Sequence, residues 1–536
     1  MKYCFFLLSF FWFTSFYSQA PNIDWVKLYG GNLGEYFRSM IKTQDGGYLV
    51  GGWSNSSVSG DKTDPMIGFN YDYWVLKIDA LGTIQWQKTI GGGRTWGLGD
   101  EAGEILNYIL EAKDGSGYYL CGYSDSGIIG MKTEPSFGGF DYWAVKIDLT
   151  GNIIWQKTLG GSSNDYLYSA ASTADGGCIV GGVSFSSISG IKTESSRGVE
   201  DYWVVKLGSS GLIEWQKTLG GSSTDELYGI VPSEDGYLLA GLSSSSISGD
   251  KTEDTKGYGD FWIVKLNLSG ELIWQKDIGG TGGDLLYTAI KTSSGYLLGG
   301  ESTSDSGYDK TENSRGSSDY WMVAIDEQGN PLWDKTFGGN DVDLLLELAE
   351  APDNGYVLVG NSSSNISGDK SSNVYGDSDG WVIRTDNTGN MLWQLDIGGI
   401  GFDGLNDVVS LEDGSFLIGG ASWDNSSNTG NIFANTKGGI DYLLVKLAPE
   451  QLSKDEFSID NIKVYPNPTL KDIEVDFIDN FEQVDVEIFN ELSQQVSSLH
   501  FQNQSNICLP LPNQKGVYLL KIKNGANVWF RKIVKN

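Results

Sequence analysis

Between Trp25 and Leu447 a unit of about 60 residues returns seven times, and its clearest copy reads DYWAVKIDLTGNIIWQKTLGG, from Asp141 to Gly161. One anchor, Asp-Tyr-Trp or a near variant, opens at Asp72, Asp141, Asp201, Asp260, Asp319, Asp379 and Asp441. A second, Trp-x-Lys or a near variant, opens at Trp25, Trp86, Trp155, Trp215, Trp274, Trp333 and Trp393. Two anchors in strict alternation imply a closed or stacked repeat array rather than unrelated domains. A residue present in every copy serves the fold, so function belongs where the copies differ.

Within one copy, Asp141 to Ile147 is short and rich in aromatic and β-branched residues, which reads as a strand. A turn holding Gly151 follows, then a second strand from Ile153 to Lys157. That turn glycine recurs at Gly82, Gly211, Gly270, Gly329 and Gly389, as a short hairpin loop requires. After Gly160-Gly161 comes a strand from Tyr166 to Thr173, a turn at Asp175-Gly176-Gly177, and a strand from Cys178 to Val183. A polar loop, Ser184 to Glu200, leads to the next anchor. Glycine, 73 of 536 residues, is about twice its usual share of ~7 %. No helical period appears. Each copy is therefore a four-stranded antiparallel meander, too small to bury its faces alone.

Seven such sheets packed around an axis make a β-propeller, which leaves only short strand edges. The ends argue for a closed ring over a linear solenoid. The last copy stops at Leu447 without its Trp strand, and the chain begins with that strand alone, from Ile23 to Lys27. The N-terminal strand is expected to complete the last blade. The pattern DYWVxKxDxxGxxxWQKTxGGxxxD resembles the bacterial propeller repeat called SBBP, and the strand order is similar to that of kelch repeats. The resemblance covers residues 22–447 and departs where Gly380 replaces the anchor Tyr and Leu443 the anchor Trp. By kelch analogy, the strand after the double glycine is innermost and the Trp-x-Lys strand outermost.

The remaining segments carry addresses. Lys2, an apolar run from Cys4 to Tyr17 and Ser18-Gln19-Ala20 read as a secretory signal over residues 1–20. No other long apolar stretch exists, so no membrane span is expected in the mature protein. Residues 448–456 read as a linker. Residues 457–536 hold seven short strand-like runs and suggest a small immunoglobulin-like sandwich. Tyr465-Pro466-Asn467-Pro468, the strand opening Gly516-Val517-Tyr518 and a basic-apolar last strand resemble the type A sorting domain of the type IX secretion system of Bacteroidetes. That resemblance implies an outer-membrane translocon and a surface sortase as partners, with the product secreted or held at the cell surface.

Chemistry is sparse. His500 is the one histidine, and it lies outside the repeats. A His-based triad or His metal site in the propeller is thereby excluded, and no cofactor motif is present. Cys121, Cys178 and Cys508 are scattered and read as small apolar side chains. The net charge of −32 repels nucleic acid. Glu35, Glu104, Asp165, Asp225, Asp284, Asp343 and Asp403 each precede the first strand of a blade. Two readings stay open for them. A ring of carboxylates at the channel mouth suits a hard cation such as calcium. Alternatively, each accepts backbone N–H bonds in its own loop. Lys62, Lys132, Lys192, Lys251, Lys310 and Lys370 recur in the long loops and read as turn residues paired with acids. Of 18 tryptophans, 13 fall on the two anchors. Trp53, Trp96 and Trp423 do not, and they cluster in blades seven, one and two. They are the candidate ligand-binding residues. The expected function is a non-enzymatic binding or adhesion module for extracellular glycan or protein. The alternatives are a carboxylate-dependent glycan-active enzyme and a structural surface protein without a ligand.

Overall fold

The computed structural model describes residues 19–93, 103–423, 430–432, 434–450, 462–469, 471–490, 495–512, 514–524 and 527–535. The chain divides into two compact units, Met1–Glu450 and Gln451–Asn536. Among the described residues every regular element is a strand.

In the first unit the described residues form seven four-stranded antiparallel sheets. Sheet three shows the pattern. Its strands Asp165–Ser172, Cys178–Ser184, Asp201–Leu207 and Ile213–Leu219 lie side by side in chain order. The third strand is buried along its whole length, which explains why its sequence is apolar without alternation. The fourth is the outer edge, with Glu214 exposed. The hairpin between them turns through Gly211 at φ +80°. That conformation costs glycine nothing and any other residue strain.

The first strands of the seven sheets are Glu35–Lys42, Glu104–Glu111, Asp165–Ser172, Asp225–Ser233, Asp284–Thr292, Asp343–Glu350 and Asp403–Ser410. Each contacts the next, and the last contacts the first, so the sheets are arranged cyclically around an axial channel in a propeller-like fold. We number the sheets one to seven in this order. In sheet seven the fourth strand is Ile23–Tyr29, which pairs antiparallel with Asp441–Leu447 and matches Tyr29 to Tyr442.

The core lies between sheets. Tyr142 and Leu159 of sheet two pack with Leu167, Val180 and Trp203 of sheet three in one buried cluster. The anchor tyrosines tie neighbours together through hydrogen bonds to the next sheet's Trp carbonyl. Tyr142 donates to Trp203 at 2.9 Å, Tyr202 to Trp262 at 2.9 Å, and Tyr442 to Trp74 at 3.0 Å. The last of these joins sheet seven to sheet one. Cys121 and Cys178 are buried free thiols in the same cluster, and Cys508 is exposed.

The second unit is a single antiparallel sheet of five described strands: Ile462–Tyr465, Ile473–Phe489, Gln495–Leu509, Gly516–Asn524 and Asn527–Lys535. Val484, Val486 and Ile488 alternate into one buried face with Tyr518, Leu520 and Ile522. The sequence suggests seven short runs. The structure joins Ile473–Phe477 and Val484–Phe489 into one long strand, because the polar stretch between them shifts the register without ending the ladder.

Candidate functional site

The cyclic fold sends one set of residues toward the axis. In every sheet the ladder between the first and second strands slips by one residue. The residues left unpaired are Arg38, Asn107, Tyr168, Tyr228, Tyr287, Leu346 and Asn406. Such a β-bulge bends its strand and re-aims side chains. The bulge is common to all seven copies, while its residue varies. The scaffold is therefore constant here and the chemistry is not.

Two of the three candidate tryptophans meet at one end of this channel. Tyr36, on the first strand of sheet one, stacks on Trp53 with ring centroids 5.3 Å apart and planes 12° from parallel. Trp423 of sheet seven meets Tyr36 edge-on at 6.3 Å, and Phe402 meets Trp423 at 5.0 Å. Trp423 remains 40 % exposed, which leaves an indole open to a ligand. Trp96 lies outside the described residues. Across the channel Tyr166 and Tyr168 stack at 6.2 Å, Tyr168 stacks on Tyr228 at 5.2 Å, and Tyr228 meets Tyr287 at 5.5 Å. Aromatic rings thus run along sheets three, four and five and reappear on sheets one and seven. The guanidinium of Arg38 lies 5.3 Å over the Trp53 ring, and Tyr123, Tyr168 and Tyr228 of the next three sheets are its electrostatic neighbours.

Deeper polar groups share the channel. Tyr108 of sheet two interacts with Glu347 of sheet six and Asp407 of sheet seven. Thr288 donates to Glu347, and the Met40 N–H donates to Asp407 at 2.7 Å. Burial raises Glu347 to about 7, and burial together with the Glu347 charge raises Asp407 to about 8. Two carboxyl groups that cannot both ionise easily are held in one place. On the aromatic side Glu200 is raised to about 7 by burial and by Glu226.

The acidic ring lies inside the loops that precede the first strands. Glu35, Glu104, Asp165, Asp225, Asp284, Asp343 and Asp403 are all buried, none more than 1 % exposed. Asp225 accepts the Gly221 N–H at 2.7 Å and the Ser245 hydroxyl at 2.9 Å, and Asp165 accepts Gly161 and Ser186 likewise. These carboxylates close their own double-glycine loops and do not line the mouth. Among the described residues no cluster of three or more His, Cys, Asp or Glu is placed to hold a metal. The loop lysines are buried too. Lys192 donates to the Ser184 hydroxyl at 2.6 Å and lies 5.7 Å over the Trp203 ring.

In the second unit the sorting motifs converge. Asn467 accepts the Val534 N–H at 2.9 Å, and Val534 pairs with Val517. Gly516 pairs with Lys535, whose ammonium donates to the Pro512 carbonyl at 2.7 Å. The exposed Tyr465 donates its hydroxyl to Asp476. Asn467 and the Gly516-Val517 opening are therefore both joined to the last strand, while Tyr465 ends the strand Ile462–Tyr465, which pairs with Ile473–Phe489 instead.

Counting tryptophans alone missed Tyr36, Arg38, Tyr168, Tyr228 and Tyr287. The available signal was the variable column three residues after each ring acid. Its importance depends on the bulge, which has no mark of its own in the sequence.

Comparison with known proteins adds one assignment. No curated protein matches the chain. Among solved structures, hydrazine synthase of Kuenenia stuttgartiensis is 13 % identical with a TM-score of 0.36, over 64 % of this chain and 86 % of that one. A puromycin hydrolase mutant is 14 % identical with a TM-score of 0.30, over 63 % of this chain and 44 % of that one. Cobalt-substituted Synechocystis ACO is 10 % identical with a TM-score of 0.32, over 71 % of this chain and 94 % of that one. Likenesses this distant carry no argument. Residues 463–536 match the secretion system C-terminal sorting domain. The chain therefore ends in a type IX sorting domain, an address for the secreted or cell-surface fraction.

Proposed function

We propose that this protein is an extracellular binding module: a seven-bladed propeller over residues 22–447 that holds a glycan or protein ligand at its aromatic channel mouth. Residues 1–20 act as its export signal. Residues 457–536 engage the type IX translocon, and the surface sortase acts near the linker at 448–456. The observation that carries the binding role is the Trp53–Tyr36–Trp423 cluster, which leaves one indole 40 % exposed. An aromatic face presented to water at a concave mouth is suited to stack on a sugar ring or receive an apolar side chain. Cation binding by the acidic ring forms no part of this role.

The second reading is a carboxylate-dependent glycan-active enzyme. What favours it is the Glu347–Asp407 pair, two interacting carboxyl groups beside Tyr108 whose proton affinity burial raises. A glycan array probed with the intact protein, run beside a product assay on the same polysaccharides, separates the two. Binding without product supports the module, and released oligosaccharide supports the enzyme. Replacing Trp53 and Trp423 together with Ala is expected to weaken binding at least about tenfold, since aromatic contacts of this kind contribute about 0.5–1.5 kcal/mol each beyond their area. Unchanged binding in a variant that melts like the parent rules out the mouth as the site.

A further inference from the structure

Arg38 is the exception among the described arginines of the first unit. The chain carries 69 acidic and 37 basic residues, so a guanidinium normally finds a carboxylate nearby. Arg197 pairs with Asp250 at 2.9 Å, Arg315 with Asp369 at 2.6 Å, and Arg384 with Glu450 at 2.8 Å. Arg38 makes no ion pair or side-chain hydrogen bond among the described residues. It is also exposed, at the unpaired position of the sheet-one bulge. Its neighbours are rings: Trp53 beneath it, and Tyr123, Tyr168 and Tyr228 from three other sheets.

The placement has a physical meaning. A guanidinium over an indole keeps its planar fork of N–H donors free at the edge, pointing away from the ring it covers. That fork matches the two oxygens of a carboxylate or sulfate bidentately. The phenols around it narrow the space in which a competing water shell can screen the charge. Two acids beside the stacked tyrosines are already engaged. Glu226 is engaged by the Tyr228 hydroxyl, and Glu301 accepts the Tyr287 hydroxyl at 3.0 Å, so each already has a partner. Arg38 is left as a cation among aromatic rings, with no carboxylate partner among the described residues.

We propose that Arg38 is the anion subsite of the channel mouth and that the ligand is an acidic glycan. One of its sugars presents a carboxylate or sulfate to the guanidinium while neighbouring rings stack on the sugar faces. The proposal rests on the binding role assigned to the mouth and adds the ligand's charge class to it. A neutral glycan would leave the guanidinium without a counter-charge in a partly enclosed space, and would bind more weakly for that reason.

Three probes test it by titration calorimetry on the intact protein at physiological salt: an oligogalacturonate, a sulfated galactan oligosaccharide and a neutral galactan oligosaccharide. The first or second is expected to bind, and its preference over the other tells carboxylate from sulfate. Arg38→Gln is expected to weaken the acidic probe by about tenfold to a hundredfold, the range for charge-assisted hydrogen bonds, and to leave the neutral probe unchanged. Arg38→Lys is expected to restore part of the affinity, since it keeps the charge and loses the fork. Because Arg38 is exposed, both variants should melt like the parent, and the melt is recorded with them. If acidic and neutral probes bind alike and Arg38→Gln changes neither, the anion subsite is wrong. In that case the Trp53 and Trp423 variants still report whether the mouth is the site. If none of the three probes binds, the acidic-glycan assignment is wrong. If binding survives all of these substitutions, both assignments fall.

Discussion

Six of the seven repeats bury a lysine under the long loop, and the seventh shows what that lysine is for. Lys370 pairs with Asp396 and lies 5.0 Å over the Trp381 ring, and Lys251 pairs with Asp277 at 2.6 Å. Gln156 bridges the network in sheet two, accepting from the Trp143 indole at 3.2 Å and donating to the Met131 carbonyl at 2.7 Å. In sheet seven the corresponding residues are Ile432 for Lys, Leu443 for Trp, Leu28 for the threonine or aspartate, and Val26 for Gln. Ile432, Leu443 and Leu28 belong to one buried cluster, with Val26 packed against it. A charged network and an apolar plug thus fill equivalent places. Breaking one half of a buried pair leaves an uncompensated charge, whereas replacing both halves is often neutral. Lys370→Met is therefore expected to cost about 3–5 kcal/mol in urea unfolding. The double variant Lys370→Ile with Asp396→Leu, which copies sheet seven, should recover most of that loss. A double variant no more stable than the single one would show that the network has a role beyond filling space.

At the scale of the strand, one short element holds the ring shut. Ile23–Tyr29 covers the edge of Asp441–Leu447, and Tyr29 donates its hydroxyl to the Gly82 carbonyl in sheet one at 2.6 Å. Without it, the third strand of sheet seven would expose a row of unpaired backbone groups. Tyr442 on that strand also carries the bond to Trp74 that joins sheet seven to sheet one. Removing residues 22–28 is expected to lower the thermal midpoint by at least about 5 °C, because the loss uncovers the edge of Asp441–Leu447 beside the junction of sheets seven and one. An unchanged midpoint by calorimetry would mean that the other sheet contacts suffice. The double-glycine loops show how tightly these elements are keyed. A Cβ built on Gly160 would stand 1.7 Å from the Asp141 carboxylate, so the glycine makes room for the anchor acid.

For the molecule as a whole, charge is the governing quantity. The net −32 is carried outward, while several carboxyl groups are held inside with raised proton affinity. Glu347 and Asp407 are the pair in the channel, faced by Thr288, Met40, Val408 and Tyr108. Their folded values, about 7 and about 8, lie above the ordinary carboxylate range, so folding favours the protonated forms. The sign follows by linkage. Stability from this pair is full below about pH 4, falls as pH rises through the window up to about 8, and is level above it. Asp407→Asn removes the charge that must be suppressed, and should flatten the decline between pH 5 and pH 8 in thermal melts relative to the parent. A variant that loses stability with pH as steeply as the parent would place the titration elsewhere. Among the described residues no helix is long and apolar enough to cross a membrane.

Local order was legible from the chain alone because it is written in short range. Turn glycines, aromatic anchors and apolar runs sit next to the residues they govern, and repetition confirms each by its copies. The all-β class, the four-stranded unit and the C-terminal sorting motif followed from that. Three things required the tertiary structure. The ring acids were ambiguous because their partners, such as Gly221 and Ser245 for Asp225, come together only when the loop closes. The long strand Ile473–Phe489 hid behind a polar interruption, since backbone pairing does not depend on side-chain pattern. The channel site was unreadable because a bulge is a defect in register between two strands, and register exists only once strands pair. Sequence determined what every repeat shares. Which of the unshared residues come together around the axis, among them Tyr36, Trp53, Trp423 and Arg38, was decided by bending seven sheets into a ring.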